Sequence, residues 1–537
     1  MFVDLIKLKK GFIYFTTLFF AMASVAAVIY YIVWPSAAYF HADCSDTILW
    51  AQASYDSASM FNKDFGYAAM LPFGGTMLMI PFIGIFGVSM TTHHIGMVLF
   101  SLLLFASVWL LCKTLKFSTP LSFAAVGTFA TVLCASAKLR EIFYEHVIYY
   151  SICIFIICIL LSLFIKFKES FSGAKVSKGF IIIALCTVAF SACSALDGMQ
   201  VIATGVVPVL FAAVMEIFLN KEQTLLSRES RASVYWCIIC GVSVLAGLVM
   251  LTMFADGVSA GYAGAYSSYA NMNEWLSNLG KFPEFWFSLF GVDAHYGMSI
   301  FSLESIINII RIASAIIIVI VPVIALCLYK KFDFGSRALI LTHFGLSAVI
   351  MFGFIFGILS AASWRLSPMI CTGVLVCFAV FKSAKGYIVP LRLSAVMLCI
   401  LIFMSGVSFM NIAQMETNGI EQNEKYRFSQ QLKEKGLTYG YATFWNSQAI
   451  TVLSDSEVRA ANVDVNENGI APCAYQSNQN WFKEQEGIDE YFVLLSYAEE
   501  ATLMKTEDWV YFDILTTDIV ELDGYNAYVF NSTAFLN

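Results

Sequence analysis

Charge is what this sequence has least of. Asp, Glu, Lys and Arg make up 13% of its 537 residues, against roughly a quarter in soluble domains. That shortage excludes an ordinary cytosolic enzyme, a nucleic-acid binder and a disordered chain. Also missing are internal repeats, low-complexity segments and a small-residue cleavage site after the first apolar run. What fills the space is apolar: 59% hydrophobic residues, 15% aromatics with 48 Phe and 25 Tyr, and a mean hydropathy of +0.75. This composition is that of a polytopic α-helical membrane protein.

The net charge of −7 hides two unlike parts. Residues 1–411 carry 24 Lys and Arg against 18 Asp and Glu, a net +6, and residues 412–537 carry 7 against 20, a net −13. The tail has no long apolar run, and it reads as a separate soluble α/β or α+β domain large enough for its own core. Strand-like runs fall at 438–444, 449–453, 491–496, 509–515 and 525–530, after an amphipathic helical stretch. The acidity of the tail argues against nucleic acid and anionic lipid as its partners. Of 14 Cys, twelve lie in or beside apolar runs, where they act as small hydrophobes. Cys44 and Cys473 are the exceptions, and a disulfide between them requires that both face an oxidising compartment.

A membrane span needs about 20 apolar residues. Eleven runs qualify: 11–33, 92–112, 119–137, 147–165, 180–196, 198–219, 234–254, 306–329, 338–359, 366–381 and 388–410. The stretch 70–88 is a twelfth candidate and sets the parity. If it does not span, the clusters Lys7/Lys9/Lys10, Lys113/Lys116, Lys166/Lys168/Lys175/Lys178, Lys221/Arg228/Arg231, Lys330/Lys331/Arg337 and Lys382/Lys385/Arg392 all fall on the cytoplasmic side, as the positive-inside rule requires. Pro72, Pro81 and four Gly also suit a broken, juxtamembrane or re-entrant segment. Eleven spans then place the N-terminus in the cytoplasm and the tail outside, with outer loops at 34–91 and 255–303. In a bacterial cell this is the plasma membrane.

The polar residues of the outer segments are the candidates for chemistry. Ser45 suits a helix cap before Asp46, on a helix amphipathic enough to lie along the membrane surface. A carboxylate there can act as general base toward an acceptor hydroxyl, or Asp43 and Asp46 are solvated capping acids. Glu141 and Glu145 share a helix face beside His146. They suit a divalent cation, an acceptor contact or a polar helix end, and no other cofactor is suggested. Arg311 lies about two turns into a span, where a charge marks a functional position, with Glu304 seven residues before it on the same face. Arg365 can hold a lipid phosphate in bidentate fashion or snorkel to the interface. The loop 255–303 is rich in aromatics, among them Tyr262, Tyr266, Trp275 and Trp286, which suit a membrane-interface belt or a sugar-stacking groove.

The first outer loop resembles the GT-C superfamily of membrane glycosyltransferases, the bacterial relatives of protein O-mannosyltransferases and lipid A aminoarabinose transferases. Those proteins carry an acidic pair early in this loop, with an aromatic and an Ala four and five residues after the Asp. Asp46, Trp50 and Ala51 match, while Thr47 stands in place of the second acid. Pro72 and Phe86-Gly87 match the bounds of the family's juxtamembrane helix. The stretch SAASWRLSPMI is similar to a late outer loop of the family, through Arg365 and Pro368. The resemblance implies a GT-C-like fold and an inverting transfer of a sugar from a polyprenyl-phosphate donor to a cell-envelope glycan, lipid or protein. Asp46 would be the base, with Asp43, Trp50, Glu145, His146, Arg311 and Arg365 around the substrates. The alternative is a non-catalytic or transport component of envelope polysaccharide synthesis, such as a flippase, exporter or glycan polymerase. A transporter calls for charges along a mid-span path, and the sequence has few.

Overall fold

A computed structural model describes residues 2–171, 177–219, 227–258, 268–358, 362–384 and 388–536. Lys175, Lys221 and Lys385 of the basic clusters, and Tyr262 and Tyr266 of the aromatic loop, lie outside the described residues. Among the described residues, ten helices are long and apolar enough to cross a membrane. The chain is a multi-pass membrane protein. An eleventh crossing is made only if Thr119–Val132 and Ala137–Glu145, bent by 114° at the break between them, count as one span.

That bend differs from the single span expected at 119–137. Helix α1 (Phe2–Val33), α2 (Ala42–Ser57), α3 (Met77–Phe86), α4 (Met90–Thr114) and α5 (Thr119–Val132) follow in order. Pro120 sits in the first turn of α5, where its missing N–H costs nothing. The helix stops at Val132, and Ser136 opens a new short helix by accepting a hydrogen bond from Leu139 N at 3.3 Å. Fourteen residues rise about 21 Å, less than the roughly 30 Å of the hydrocarbon layer. Segment 70–88 is also too short to cross. Its ten-residue α3 rises only about 15 Å, after a non-helical kink at Gly74 and Gly75.

The chain divides into two compact units: Met1–Ile29 with Phe100–Thr252 and Tyr266–Met415, and Tyr30–Leu99 with Met253–Ala265 and Glu416–Asn537. In the first unit, a buried charge cluster ties helix ends together. Glu216 is sealed from solvent and pairs with Arg337 at 2.6 Å, while the Tyr329 hydroxyl donates to the same carboxylate. Asp333 caps the helix Phe334–Phe356 by accepting from Ser336 N at 2.9 Å, and pairs with Lys382. Lys382 also donates to the Leu115 carbonyl at 2.6 Å, at the end of α4.

The second unit is built on a six-stranded sheet, β1 (Tyr439–Ala442), β2 (Arg459–Asn466), β3 (Gly469–Pro472), β4 (Tyr491–Ser496), β5 (Asp518–Leu522) and β6 (Tyr525–Phe530), in the order β3-β2-β1-β4-β6-β5. The central β2-β1-β4 pairings are parallel and the outer ones antiparallel. The period of two along β4 sends Tyr491, Val493 and Leu495 into one core with Phe512 and Phe530, and Phe492 and Leu494 into another with Phe428 and Ile450. Two expected strands are helices instead, within Phe444–Leu453 and Asp508–Leu515. Short apolar runs carry no decisive period. Here Ile450 and Phe512 each anchor a helix on one face of the sheet. No disulfide joins Cys44 and Cys473.

The segment that joins the first two spans is built into this unit. Asn423 donates from Nδ2 to the carbonyls of Ala37 and Phe40, both at 2.9 Å. Asp455 accepts from Met90 N at 2.9 Å, and Ser456 donates to Val88 O at 2.7 Å. Residues 65 and 478 form an antiparallel bridge, flanked by Gly66 N to Ser477 O at 3.0 Å and Gln476 N to Gly66 O at 2.7 Å. A Cβ on Gly66 would stand 1.9 Å from the Ala474 carbonyl oxygen, so only glycine allows this approach.

Candidate active site

Helix α2 begins at Ala42, four residues before the expected start, with His41 at its N-cap position. Ser45 is therefore inside the helix rather than capping it, and its hydroxyl donates to the Ala42 carbonyl and to Gln448 Oε1. Asp43 is half-buried in the first turn, where the helix dipole favours negative charge. Ile48, Leu49, Ala51 and Ala53 are buried in protein, so α2 does not offer them to a membrane surface.

Asp46 lies one turn further in. The residue keeps partial solvent exposure, but its Oδ1 is sealed and has no hydrogen-bond partner among the described residues. Burial pushes its carboxyl well above the ordinary carboxylate range, the neighbouring Asp43 charge adds to the rise, and Gln476 opposes it. Gln476 is fully buried, in a left-handed backbone conformation at φ 54°. Its Oε1 accepts from the Trp50 indole N–H at 2.7 Å, and its carbonyl accepts from Gln448 Nε2. Trp50 thus spends its one donor on orienting Gln476. The result is a carboxylate with a raised proton affinity, a buried oxygen that no described group bonds and a rigid neighbour, features that suit a general base.

The other residues singled out from the sequence lie in the first unit. Glu145 and His146 are buried at the end of a single π-helical turn, Glu141–Glu145. Glu141 pairs with Lys138. Among the described residues, no three His, Cys, Asp or Glu side chains gather into a metal site. Arg311 is half-buried and donates to the Gly291 carbonyl at 2.6 Å. Arg365 is half-buried in a short turn before the helix Ser367–Ser383, with a weak 3.4 Å contact to Gly353 O. Beside it in sequence, the Trp364 ring carries Lys138 Nζ 5.0 Å from its centroid.

No family model and no curated protein matches this sequence. Solved structures do match. The crystal structure of ArnT from Cupriavidus metallidurans in the apo state is similar over 92% of this chain and 94% of its own, at 11% identity and a TM-score of 0.50. This chain has the fold of the GT-C glycosyltransferases, to which ArnT belongs. The same ArnT bound to undecaprenyl phosphate is similar at 12% identity over 96% and 98% of the two chains, with a TM-score of 0.44. An oligosaccharyltransferase from Archaeoglobus fulgidus, tethered to an acceptor peptide, is similar at 11% identity over 97% and 74%, with a TM-score of 0.48.

In this GT-C fold, two residues of the site are absent from the sequence reading. Gln448 and Gln476 lie in the tail, more than 400 residues from the Ser45 and Trp50 side chains they bond. A buried Gln cannot be told from an exposed one by composition. The only local signal is the string QAITVLSDSEV, whose apolar run marks Gln448 as the edge of a buried segment.

Proposed function

We propose that this protein is an inverting glycosyltransferase that moves a sugar from a polyprenyl-phosphate donor to a cell-envelope acceptor at the outer face of the plasma membrane. The observation that carries the reading is Asp46, a carboxyl of raised proton affinity whose buried Oδ1 no described group bonds, on the first helix after the first span of a GT-C fold. ArnT, whose fold is shared, has been crystallised with undecaprenyl phosphate. The basic clusters support a cytoplasmic N-terminus and an outer tail.

In the reaction, the acceptor hydroxyl gives its proton to Asp46 as its oxygen bonds to the anomeric carbon. The bond from that carbon to the phosphate oxygen breaks, and polyprenyl phosphate leaves. Arg365 and Arg311 serve as the fixed cations that receive the developing phosphate charge, a role that demands positioned guanidinium groups in a water-poor site. Glu145 and His146 are assigned to substrate binding.

The test is transfer of label from a radiolabelled undecaprenyl-phosphate sugar to an envelope extract by protein in proteoliposomes. Asp46→Asn should reduce the rate about 10²–10⁴-fold, the usual contribution of a general base. Transfer at the wild-type rate would remove Asp46 from the mechanism.

A further inference from the structure

A small cleft of about 130 Å³ opens on a second face of α2, within the unit that holds Asp46. Gln52 and Asp56 come from α2, Gln448 from the helix Phe444–Leu453, Arg459 from β2, and Trp481 and Gln485 from the segment between β3 and β4. We propose that this cleft seats a sugar residue of the acceptor, in a subsite separate from the catalytic carboxylate. Only the assignment of that sugar to the acceptor rests on the glycosyltransferase reading.

The argument is the chemistry of the walls. Trp481 is half-buried and lines the cleft, and its ring is fixed edge-on against Phe65 with centroids 6.0 Å apart. A held indole face packs on the C–H face of a pyranose. Around it stand three carboxamides, one carboxylate and one guanidinium, groups that pair with neighbouring hydroxyls as donors and acceptors. They are already organised. Gln52 Nε2 donates to Asp56 at 2.6 Å, and Gln485 Nε2 is held by the carbonyls of Asn480 and Lys483 at 3.0 and 2.6 Å, which leaves its Oε1 as an acceptor. A phosphate would meet Asp56 as well as the single Arg459, and a lipid chain would meet too many polar groups. A neutral saccharide satisfies both.

The position supports the same reading. Ser45, Leu49, Gln52 and Asp56 follow helical spacing along one face of α2, while Asp46, Trp50 and Ala53 follow it along the next. Gln448 joins the two faces, since it lines the cleft, accepts from Ser45 and donates to the carbonyl of Gln476. An acceptor glycan held at Trp481 is thereby referenced to the helix that carries the base.

The experiment is saturation-transfer NMR and calorimetry on the full-length protein in nanodiscs. The probes are methyl glycosides of glucose, galactose, mannose and N-acetylglucosamine with their β1,4- and α1,4-linked disaccharides, and inorganic phosphate. At least one saccharide should bind, Trp481→Ala should weaken it tenfold or more, and the exposed Asp56→Asn should weaken it several-fold. Asp46→Asn should bind within twofold of wild type. The proposal is overturned if no saccharide in the panel binds, if Trp481→Ala and Asp56→Asn both bind as wild type, or if phosphate competes. Active transfer by Asp46→Asn together with lost binding in Trp481→Ala would remove the catalytic reading and leave this subsite standing.

Discussion

The indole N–H of Trp50 donates to the side-chain oxygen of Gln476 at 2.7 Å, across 426 residues of sequence. Gln476 in turn takes its left-handed backbone from a pairing with Gly66, which accepts from its N–H at 2.7 Å. One buried glutamine therefore connects the helix bearing Asp46, the loop after that helix and the C-terminal sheet.

Removing that glutamine should act on both stability and pH dependence. Gln476→Ala leaves the buried Trp50 indole without an acceptor, at a cost of about 1–3 kcal/mol. It also removes the one group that lowers the proton affinity of Asp46. A general base works ionised, so the acidic limb of the pH–rate profile should move to higher pH. Transfer assays between pH 5 and 9 would show it, and an unmoved limb would separate Gln476 from Asp46.

Asp46 itself should trade stability for activity. Its folded-state proton affinity lies above the ordinary value near pKa 3.9. Its stabilising protonated form is fully present below about pH 4, and that contribution is lost as pH rises through the higher folded value. Asp46→Asn suffers no such loss. Thermal melting in detergent should place the variant above wild type at pH 8, with the gap closing toward pH 4. A gap of constant size would contradict the raised affinity.

The buried pair in the other unit should show the asymmetry of such pairs. Glu216→Ala strands the Arg337 guanidinium and the Tyr329 hydroxyl, and should cost about 3–5 kcal/mol. The double variant Glu216→Met with Arg337→Met should recover much of that loss, because no lone charge is left behind. Melting temperatures of the single and double variants decide the matter.

Gly66→Ala should loosen the join between loop and tail. The added methyl would meet the Ala474 carbonyl oxygen at 1.9 Å, so the pairing of 65–66 with 476–478 must open. Hydrogen exchange at Gln476 and Gln479, whose amides donate to Gly66 and Asp64, should accelerate at least tenfold, with the ten spans unaffected.

The apolar helices were legible because length and hydrophobicity decide them one segment at a time. The break of α5 at Val132 was not, since the run continues apolar through Cys134 and only local backbone geometry ends it. In the tail, β4 is readable from its five consecutive apolar and aromatic positions, Tyr491 to Leu495, whereas β2, with its mixed ANVDVN string, has no such run. The runs 449–453 and 509–515 look like strands in isolation. They are helices because each packs on a core of the sheet, through Ile450 or Phe512.

Sequence by itself determined the membrane body, the acidic tail and the carboxylate early after the first span, because hydropathy, charge and motif spacing are additive along the chain. Tertiary structure alone decided what surrounds that carboxylate. Its raised proton affinity comes from burial and from Asp43, and is tempered by Gln476. Those are distance-dependent effects of groups that meet only when residues 42–66 and 444–479 fold onto one another.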